Sequence, residues 1–383
     1  MPGPGDVLAL VRAHGSLTRG EVRELTGLSR MTVSTRIDAL LDSGLLVEGD
    51  AHRNSAGRPS RRLHFHTDHA RILVASVDTT HTTVGVTDLA GRILVEERIA
   101  PAVSDGPEAT LDAIAQTATR LVERSGASRA DVSACGVSVP GPIDPDTRRP
   151  NEPPIMPGWD GFPIAERLQD RLGVAIHVSN DADAAALGEQ RRVYPPSRSL
   201  CFVKIDTGIG SGIVLGGGIY RGTDGGSGDI GHIKLAGHGG EMCLCGATGC
   251  LASIASGRAL ARQLTEIGKT ADSATDVRRA LNAGDPDAAR LTQDAGRVIG
   301  EVLATVVSVL NPTQLVLGGT LAVAPMIAGV REALYPRSLP RATRNLQIVP
   351  SQLGPDAALI GLSLLAVDEE YSSDAVNALL TPA

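Results

Sequence analysis

Three short apolar runs follow one another with no room for a helix between them: RILVASVD (71–78), TTVGVTD (82–88) and GRILVEERI (91–99). Runs of this length, rich in Val and Ile and joined by tight turns, read as strands. An amphipathic helix, PEATLDAIAQTATRLVERSG (107–126), comes next, then the strand VSACGVSVPG (132–141). The helix IAERLQDRLG (164–173) and the strand VAIHVSND (174–181) complete the set. Past residue 200 the series begins again. LCFVKID (200–206) and GIVLGGGIY (212–220) flank TGIGSG, the long helix LTQDAGRVIGEVLATVVSVL (291–310) follows, and TQLVLGG (313–319) reads as a final buried strand. Strands alternating with helices dictate α/β layers. A β-β-β-α-β unit occurring twice predicts two similar lobes.

The first 66 residues have a different texture. They hold nine Arg and seven acidic residues, a balance of +2, which leaves −9 for the rest of a chain whose net charge is −7. DVLALVRAHG reads as a helix closed by Gly15. Thr18 and Glu21 have the spacing of a capping box at the start of a second helix. Gly27 supplies a turn and Ser29 caps a third helix, which sets Val33, Ile37, Leu40 and Leu41 on one face before Gly44. Two strand-like runs, LLVEG and SRRLHFH, flank the polar loop DAHRNSAGRP. Three helices and a hairpin make a winged helix-turn-helix, whose third helix enters a major groove. The candidate DNA contacts are Arg30, Thr32, Ser34, Thr35 and Arg36 on that helix, with Arg58, Arg61 and Arg62 on the wing. Arg, Ser and Thr are residue types that reach base edges and phosphates.

Composition excludes other classes. Apolar residues make up 42% of the chain and aromatics 2%, so the cores must be built from Val, Leu, Ile and Ala. At 383 residues the chain exceeds what one core usually supports and calls for two or three domains. No run approaches the ~18–20 apolar residues of a membrane span, and no signal-peptide pattern opens the chain, which points to a cytoplasmic protein. Five unevenly spaced cysteines do not resemble a secreted disulfide framework. Cys135 and Cys201 lie in apolar runs and read as core residues.

The remaining cysteines form CLCGATGC (243–250), preceded by DIGH (229–232) and by His238. Cys243, Cys245 and Cys250 are good zinc ligands, and a tetrahedral site needs one further donor. His232 and His238 both qualify. TGIGSG is not a dinucleotide fingerprint, because a strand rather than a helix follows it.

VSNDADAAALGE, DTGIGSGIVLGGGIYRG, DIGH, CLCGATGC and NPTQLVLGGTL, in this order, resemble the ROK family of repressors and sugar kinases over residues 70–370. With a winged helix in front, the chain resembles the repressor branch, such as the xylose- and N-acetylglucosamine-responsive regulators. The resemblance implies a two-lobed actin-like (ribonuclease H-like) body with a sugar cleft. The winged helix would occupy 1–66, the first lobe 71–182 completed by a helix over 356–370, and the second lobe 183–355. The resemblance also implies a structural zinc ion held by His232, Cys243, Cys245 and Cys250. It places Gly141, Asn180, Asp181, Asp229 and His232 at the sugar, with Asp181 matching the base of the kinases. Family members assemble as homodimers or homotetramers, and a dimer predicts a palindromic operator in double-stranded DNA.

Departures from the kinase pattern bear on activity. The phosphate loop DxGGTK is DTTHTT here, Asp78 to Thr83, so Thr80 and His81 replace glycines and Thr83 replaces the lysine. Glycines there let backbone N–H groups approach phosphate, and bulky side chains block that approach. Ile155 stands where the family has Asn, Asp229 where it has Glu, and Ala252 where an acid is expected. Each lost polar group removes a ligand hydrogen bond worth about 0.5–1.5 kcal/mol. Asp181 is then a vestigial base, and the chain reads as a DNA-binding regulator, a repressor, that senses a carbohydrate. Two alternatives remain open: a sugar kinase with an appended DNA module, and a ligand-independent regulator with a decayed pocket.

Overall fold

The computed structural model describes residues 2–52, 60–237 and 241–380. Arg58 and His238 lie outside the described residues. Helices α1 (Pro4–His14), α2 (Arg19–Thr26) and α3 (Arg30–Asp42) begin the chain. Gly15, at φ 74, ends α1. The capping box on α2 forms: Thr18 Oγ1 accepts the Glu21 N–H at 3.2 Å, and the Glu21 carboxylate accepts the Thr18 N–H at 2.7 Å. Ser29 caps α3 by accepting the Thr32 N–H at 3.1 Å. Val33, Ile37 and Leu40 are buried, and Leu41 is half-buried against the same core.

Strands β2 (Leu46–His52) and β3 (Ser60–Phe65) pair antiparallel as the wing hairpin. A two-residue strand, β1 (Leu17–Thr18), pairs with the other side of β3, giving the order β1-β3-β2. Two residues are too short for a period-two pattern, so β1 has no signature in the sequence.

Two five-stranded sheets form the body. The first contains β4 (Arg71–Val77), β5 (Thr82–Thr87), β6 (Ile93–Ile99), β7 (Val132–Val139) and β8 (Ala175–Asn180). Helices α4 (Pro107–Arg124) and α5 (Ile164–Leu172) connect its later strands. Helix α6 (Asp181–Arg192) leads to the second sheet: β9 (Ser199–Ile205), β10 (Ile209–Leu215), β11 (Gly218–Ile219), β12 (Gln314–Gly318) and β13 (Gln347–Pro350). Between β11 and β12 run α7 (Leu251–Ala255), α8 (Gly257–Glu266), α9 (Ala274–Asn282) and α10 (Pro286–Leu310). Between β12 and β13 run α11 (Ala324–Arg337) and α12 (Pro340–Thr343).

The sheet orders are β6-β5-β4-β7-β8 and β11-β10-β9-β12-β13. In both, the first three strands are antiparallel and the last two add in parallel. The repeated unit read from the sequence is therefore a repeated topology. Two details differ from that reading. Gly216 and Gly217, at φ 65 and 90, fold GIVLGGGIY into a hairpin of β10 and β11 rather than one strand. Within TGIGSG, Ile209 to Gly212 already belong to β10, so the turn is only Asp206–Gly208.

The lobes meet through α6 and α13 (Ala357–Glu370), the latter packed on β4 and β7 of the first sheet. Gly212 lets β10 approach the backbone of α6, and Gly136 lets β7 approach α13. Between the helices, a side chain at Gly361 would overlap the Ala184 carbonyl, and one at Gly188 would overlap the Ala357 carbonyl. Helix α14 (Ser373–Leu380) follows α13 and holds the winged helix. Gly5 donates its N–H to Asn377 Oδ1 at 2.8 Å. Arg12 donates to Asp368 at 2.6 Å and to the Tyr371 carbonyl at 3.1 Å, while Phe65 packs edge-on against Tyr371. Among the described residues no helix is long and apolar enough to cross a membrane.

Gly361→Ala should lower the stability of the body by about 2 kcal/mol or more, because the overlap is with backbone that cannot move aside. Gly20→Ala, at an open position within α2, should be neutral or slightly stabilising. Urea unfolding of both variants checks the pair.

Candidate functional site: a cleft between the lobes

A cavity of about 250 Å³ opens between the sheets and is lined from both lobes. It brings together all five sugar-site residues read from the sequence: Gly141 after β7, Asn180 and Asp181 after β8, and Asp229 and His232 from the second lobe. Ile155 and Ala252 line it too and add apolar surface.

Asn180 is the N-cap of α6. Its Oδ1 accepts the N–H groups of Ala182 at 2.8 Å and Asp183 at 3.1 Å, and its Nδ2 donates to the Gly141 carbonyl at 3.0 Å. The cap fixes the two cleft-facing turns relative to each other and leaves one amide hydrogen free for a ligand.

Asp181 accepts the Ala182 N–H at 2.7 Å through Oδ1. Through Oδ2 it accepts Lys204 Nζ, also at 2.7 Å. The same ammonium donates to Asp78 Oδ2 at 2.7 Å. Lys204 comes from β9 in the second lobe and Asp78 from the end of β4 in the first, so the contact bridges the cleft floor. Burial alone would lower the lysine, but Asp181 and Asp78, with Asp206 nearby, raise it well above its ordinary value. Burial also works against ionisation of Asp78, yet Lys204 and the Thr79 donors hold it below the usual carboxylate range. Asp181 is raised by its deep burial and by the charge on Asp78, with Lys204 opposing.

Sequence reasoning missed Lys204. The signal was present: LCFVKID is an apolar strand interrupted by one lysine and ended by Asp206, in a chain with only three lysines.

The turn after β4 is closed. Asp78 donates its N–H to the His81 carbonyl at 2.8 Å, and its Oδ1 accepts both the N–H and the hydroxyl of Thr79. His81 Nδ1 lies 3.0 Å from Thr80 Oγ1 and 2.9 Å from an Arg98 nitrogen. The first N–H of this loop is thus bound by the loop's own carboxylate.

A side-chain cluster adjoins the cleft. The segment after His232 runs antiparallel to the segment before α7, through a Lys234–Cys250 bridge and hydrogen bonds from Leu235 to Gly249 and from Leu251 to Ile233. Gly246 and Gly249, at φ 82 and 75, turn the cysteine loop back on itself. His232, Cys243, Cys245 and Cys250 then present donor atoms all within 4.8 Å of one another. Cys243 Sγ is 3.6 Å from His232 Nδ1, and Cys245 Sγ is 3.7 Å from Cys250 Sγ. A tetrahedron with donors about 2.0–2.3 Å from a zinc ion has edges of about 3.3–3.8 Å, so the donor set fits such an ion. Burial and the neighbouring sulfurs push Cys250 up to about 12, a cost of crowding thiols that a cation relieves.

On α3, Arg30 and Thr35 are exposed, and Thr32, Ser34 and Arg36 are half-buried. Thr32 Oγ1 lies 2.8 Å from Ser29 Oγ in the helix cap, and Ser34 accepts Arg19 at 3.2 Å. Met31, 80% exposed, stands among them and was not read from the sequence, since a methionine carries no polar signal. On the wing, Arg61 is exposed and pairs with Glu48 at 3.0 Å. Arg62 is turned inward instead. It donates to the Ser16 hydroxyl at 2.8 Å and the Ser16 carbonyl at 2.7 Å, bracing β3 against the turn before β1.

Asp183, one turn into α6, is buried with Oδ1 lacking any hydrogen-bond partner. Burial pushes it up to about 7, Arg221 opposes the shift, and Asp181 and Asp229 add to it. The folded protein therefore favours the protonated acid. The contribution of Asp183 to stability should fall as pH rises from about 4 to 7 and level off above that. Asp183→Asn should abolish this slope and be more stable than the parent above pH 7, by a few kcal/mol at most. Unfolding midpoints of both proteins between pH 4 and 8 measure it.

Comparison with known proteins places this geometry. The model of the ROK family matches residues 75–369, and a model described as winged helix-turn-helix DNA-binding matches residues 5–47. The xylose repressor of Bacillus spizizenii is 26% identical over 370 residues, covering 94% of each chain. A glucokinase of Halalkalibacterium halodurans is 30% identical over 321 residues, covering 79% of this chain and 97% of the relative. The crystal structure of a ROK family transcriptional regulator, a homolog of the E. coli MLC protein, superposes with a TM-score of 0.81 at 23% identity, covering 98% of this chain and 97% of the other. The glucokinase aligns with the body, and the two regulators extend over the winged helix as well. With an actin-like pair of lobes, the interlobe cleft and a family match over most of its length, the chain belongs to the ROK family.

Proposed function

We propose that this protein is a DNA-binding transcriptional regulator, a repressor, whose cleft senses a sugar or sugar derivative. The observation that carries the reading is the mounting of the winged helix: α1 is held by α13 and α14, and α13 packs on α6, the helix that starts at the cleft. A ligand that changes the angle between the lobes would re-aim α3, and a coupling of about 1–3 kcal/mol suffices for regulation. The full repressor-like architecture of the xylose repressor supports this over an enzyme, as does the engagement of Asp181 by Lys204. The lining by Ile155 and Ala252 favours, as a second reading, a regulator whose pocket no longer binds sugar.

Within this reading, residues 1–66 bind double-stranded DNA, 71–182 with 356–370 form the first lobe, and 183–355 the second. The protein acts in the cytoplasm as a homodimer or homotetramer on a palindromic operator. Gly141, Asn180, Asp181, Asp229 and His232 meet the ligand. Arg30, Thr35, Arg36 and Arg61 meet DNA, with Thr32 and Ser34 at the helix start. Arg62 braces the wing from within. Zinc, held by His232, Cys243, Cys245 and Cys250, fixes the loop beside the cleft.

Selection of binding sites from genomic DNA, followed by gel shifts with and without sugars, tests the function. The expected outcome is a palindromic site released or tightened by one sugar. The absence of any specific site would sink the reading. Arg30→Ala and Arg61→Ala should weaken binding across sequences and each lower the salt slope by about one, whereas Met31→Ala should alter preference at a thymine position.

Metal analysis should find one zinc per chain. Cys250→Ser should lose it, lower the melting temperature and expose the loop around residues 232–250 to protease. Zinc-free protein with the parent's stability would contradict a structural role.

A further inference from the structure

Lys204 has no role in DNA binding and none in holding the metal, yet it occupies the centre of the cleft floor. Its ammonium is 2.7 Å from a carboxylate oxygen of Asp78 and 2.7 Å from one of Asp181. Two carboxylates converging from separate strands on one point form an arrangement that would otherwise receive a divalent cation. Here a covalently attached charge fills that point.

The repeated topology makes a second observation independent of the first. Asp78 follows β4 and Asp206 follows β9, the matching strands of the two sheets. Each begins the tight turn of its lobe's first hairpin, donating its N–H to the His81 carbonyl in one case and the Gly208 carbonyl in the other. Each folds its carboxylate over local backbone donors. Asp78 takes the Thr79 N–H at 2.6 Å. Asp206 takes the Thr207 N–H at 3.0 Å, and the N–H and hydroxyl of Thr320 at 3.3 and 3.0 Å. Turns of this kind bind phosphate when their N–H groups point free into a cleft. In this protein a fixed carboxylate already holds the first N–H of each turn, that of Thr79 in one and that of Thr207 in the other. The charge lining the cavity adds to this: Asp78, Asp181, Asp206 and Asp229 face Lys204 and Arg258, leaving a formal excess of two negative charges.

We propose that Lys204 is a built-in cation that makes the cleft a receptor for unphosphorylated, uncharged sugars and closes it to metal–nucleotide and to sugar phosphates. The lysine supplies the charge that Asp78 and Asp181 require, so no divalent ion enters between them. Asp78 and Asp206 each withhold the first backbone donor of their turn from a phosphate and set a negative charge beside it. Asp181, tied to Lys204 through Oδ2, keeps lone pairs that accept a ligand hydroxyl. This deepens the sugar-sensor reading and rests on it for the ligand, but not for the role of Lys204.

The test uses the full-length, zinc-loaded protein. Mn²⁺ binding is followed by electron paramagnetic resonance in the parent, in Lys204→Ala, and in Lys204→Ala combined with Asp78→Asn, with folding checked by circular dichroism. The parent should take up no Mn²⁺ in the cleft, Lys204→Ala should gain one site per chain, and the double variant should lose it. Calorimetry on the parent then compares ATP with Mg²⁺, inorganic phosphate, and the free and 6-phosphorylated forms of glucose and N-acetylglucosamine. Nucleotide and phosphate should give no binding, and any sugar bound should bind at least about tenfold more weakly as its phosphate. Mn²⁺ or ATP binding to the parent would overturn the proposal, as would a sugar phosphate that outbinds its parent sugar. So would a folded Lys204→Ala that gains no metal. If Lys204→Ala does not fold, the parent's responses to Mn²⁺, ATP and phosphate still decide the matter. No response to any sugar, together with the metal gain in Lys204→Ala, would sink the sensor reading and leave the role of Lys204 standing.

Discussion

Helices α6 and α13 touch backbone to backbone, and the rest of the molecule is arranged around that contact. Gly188 and Gly361 leave no side chain between them, so Ala184 and Ala357 present bare carbonyls to the opposite helix. Each helix also belongs to a different lobe, α6 lying on β9 and β10 and α13 on β4 and β7. Small residues let two sheets that share a topology share a spine. A packed spine of this kind has few intermediate positions, since close-packed surfaces resist gradual deformation.

Because α6 starts at the cleft, the spine begins where the charges are. Asn180 ties the helix to the Gly141 turn, and Asp181 ties it to β9 through Lys204. At the other end of α6, Arg191 reaches Asp368 at 3.2 Å, the carboxylate that also receives Arg12 of the winged helix. One helix thus carries a polar tie to the Gly141 turn, to β9 and to the helix that receives Arg12. The ties at the cleft are buried, so breaking one would strand a buried polar group or charge, while the Arg191 pair is largely exposed and contributes little to stability by itself.

The sequence made much of this legible, for identifiable reasons. Strands such as RILVASVD and helices such as α10 announce themselves by period, and the capping box at Thr18 and Glu21 forms as its spacing requires. The four-residue His–Cys cluster was readable because cysteine and histidine are rare and their chemistry is narrow. Other features depend on partners remote in sequence. Lys204 gains its meaning from Asp78, 126 residues away, and no local pattern connects them. Arg62 looked like a wing contact because an exposed Arg and an inward Arg are identical in a string of letters; Ser16 decides between them. Asn180, expected at a ligand, proves also to be the cap of α6, and its second amide hydrogen stays free of that role. The two-residue strand β1 and helix α14 were invisible because one is too short for a period and the other takes its importance from docking.

That docking bears on the order in which the chain is made. The winged helix emerges from a ribosome before the lobes, and Val7, Leu8, Val33, Ile37 and Leu63 of its core lie close together in the chain. Its seat does not. Gly5 waits for Asn377, and Arg12 for Asp368 and Tyr371, residues more than 350 positions later. During synthesis the DNA-reading module is therefore a tethered, unaimed particle. Only when α13 and α14 have folded onto the lobes does it acquire a fixed bearing. The geometry that an operator would recognise is a property of the finished polypeptide, and nascent or prematurely terminated chains carry the reading head without its mount.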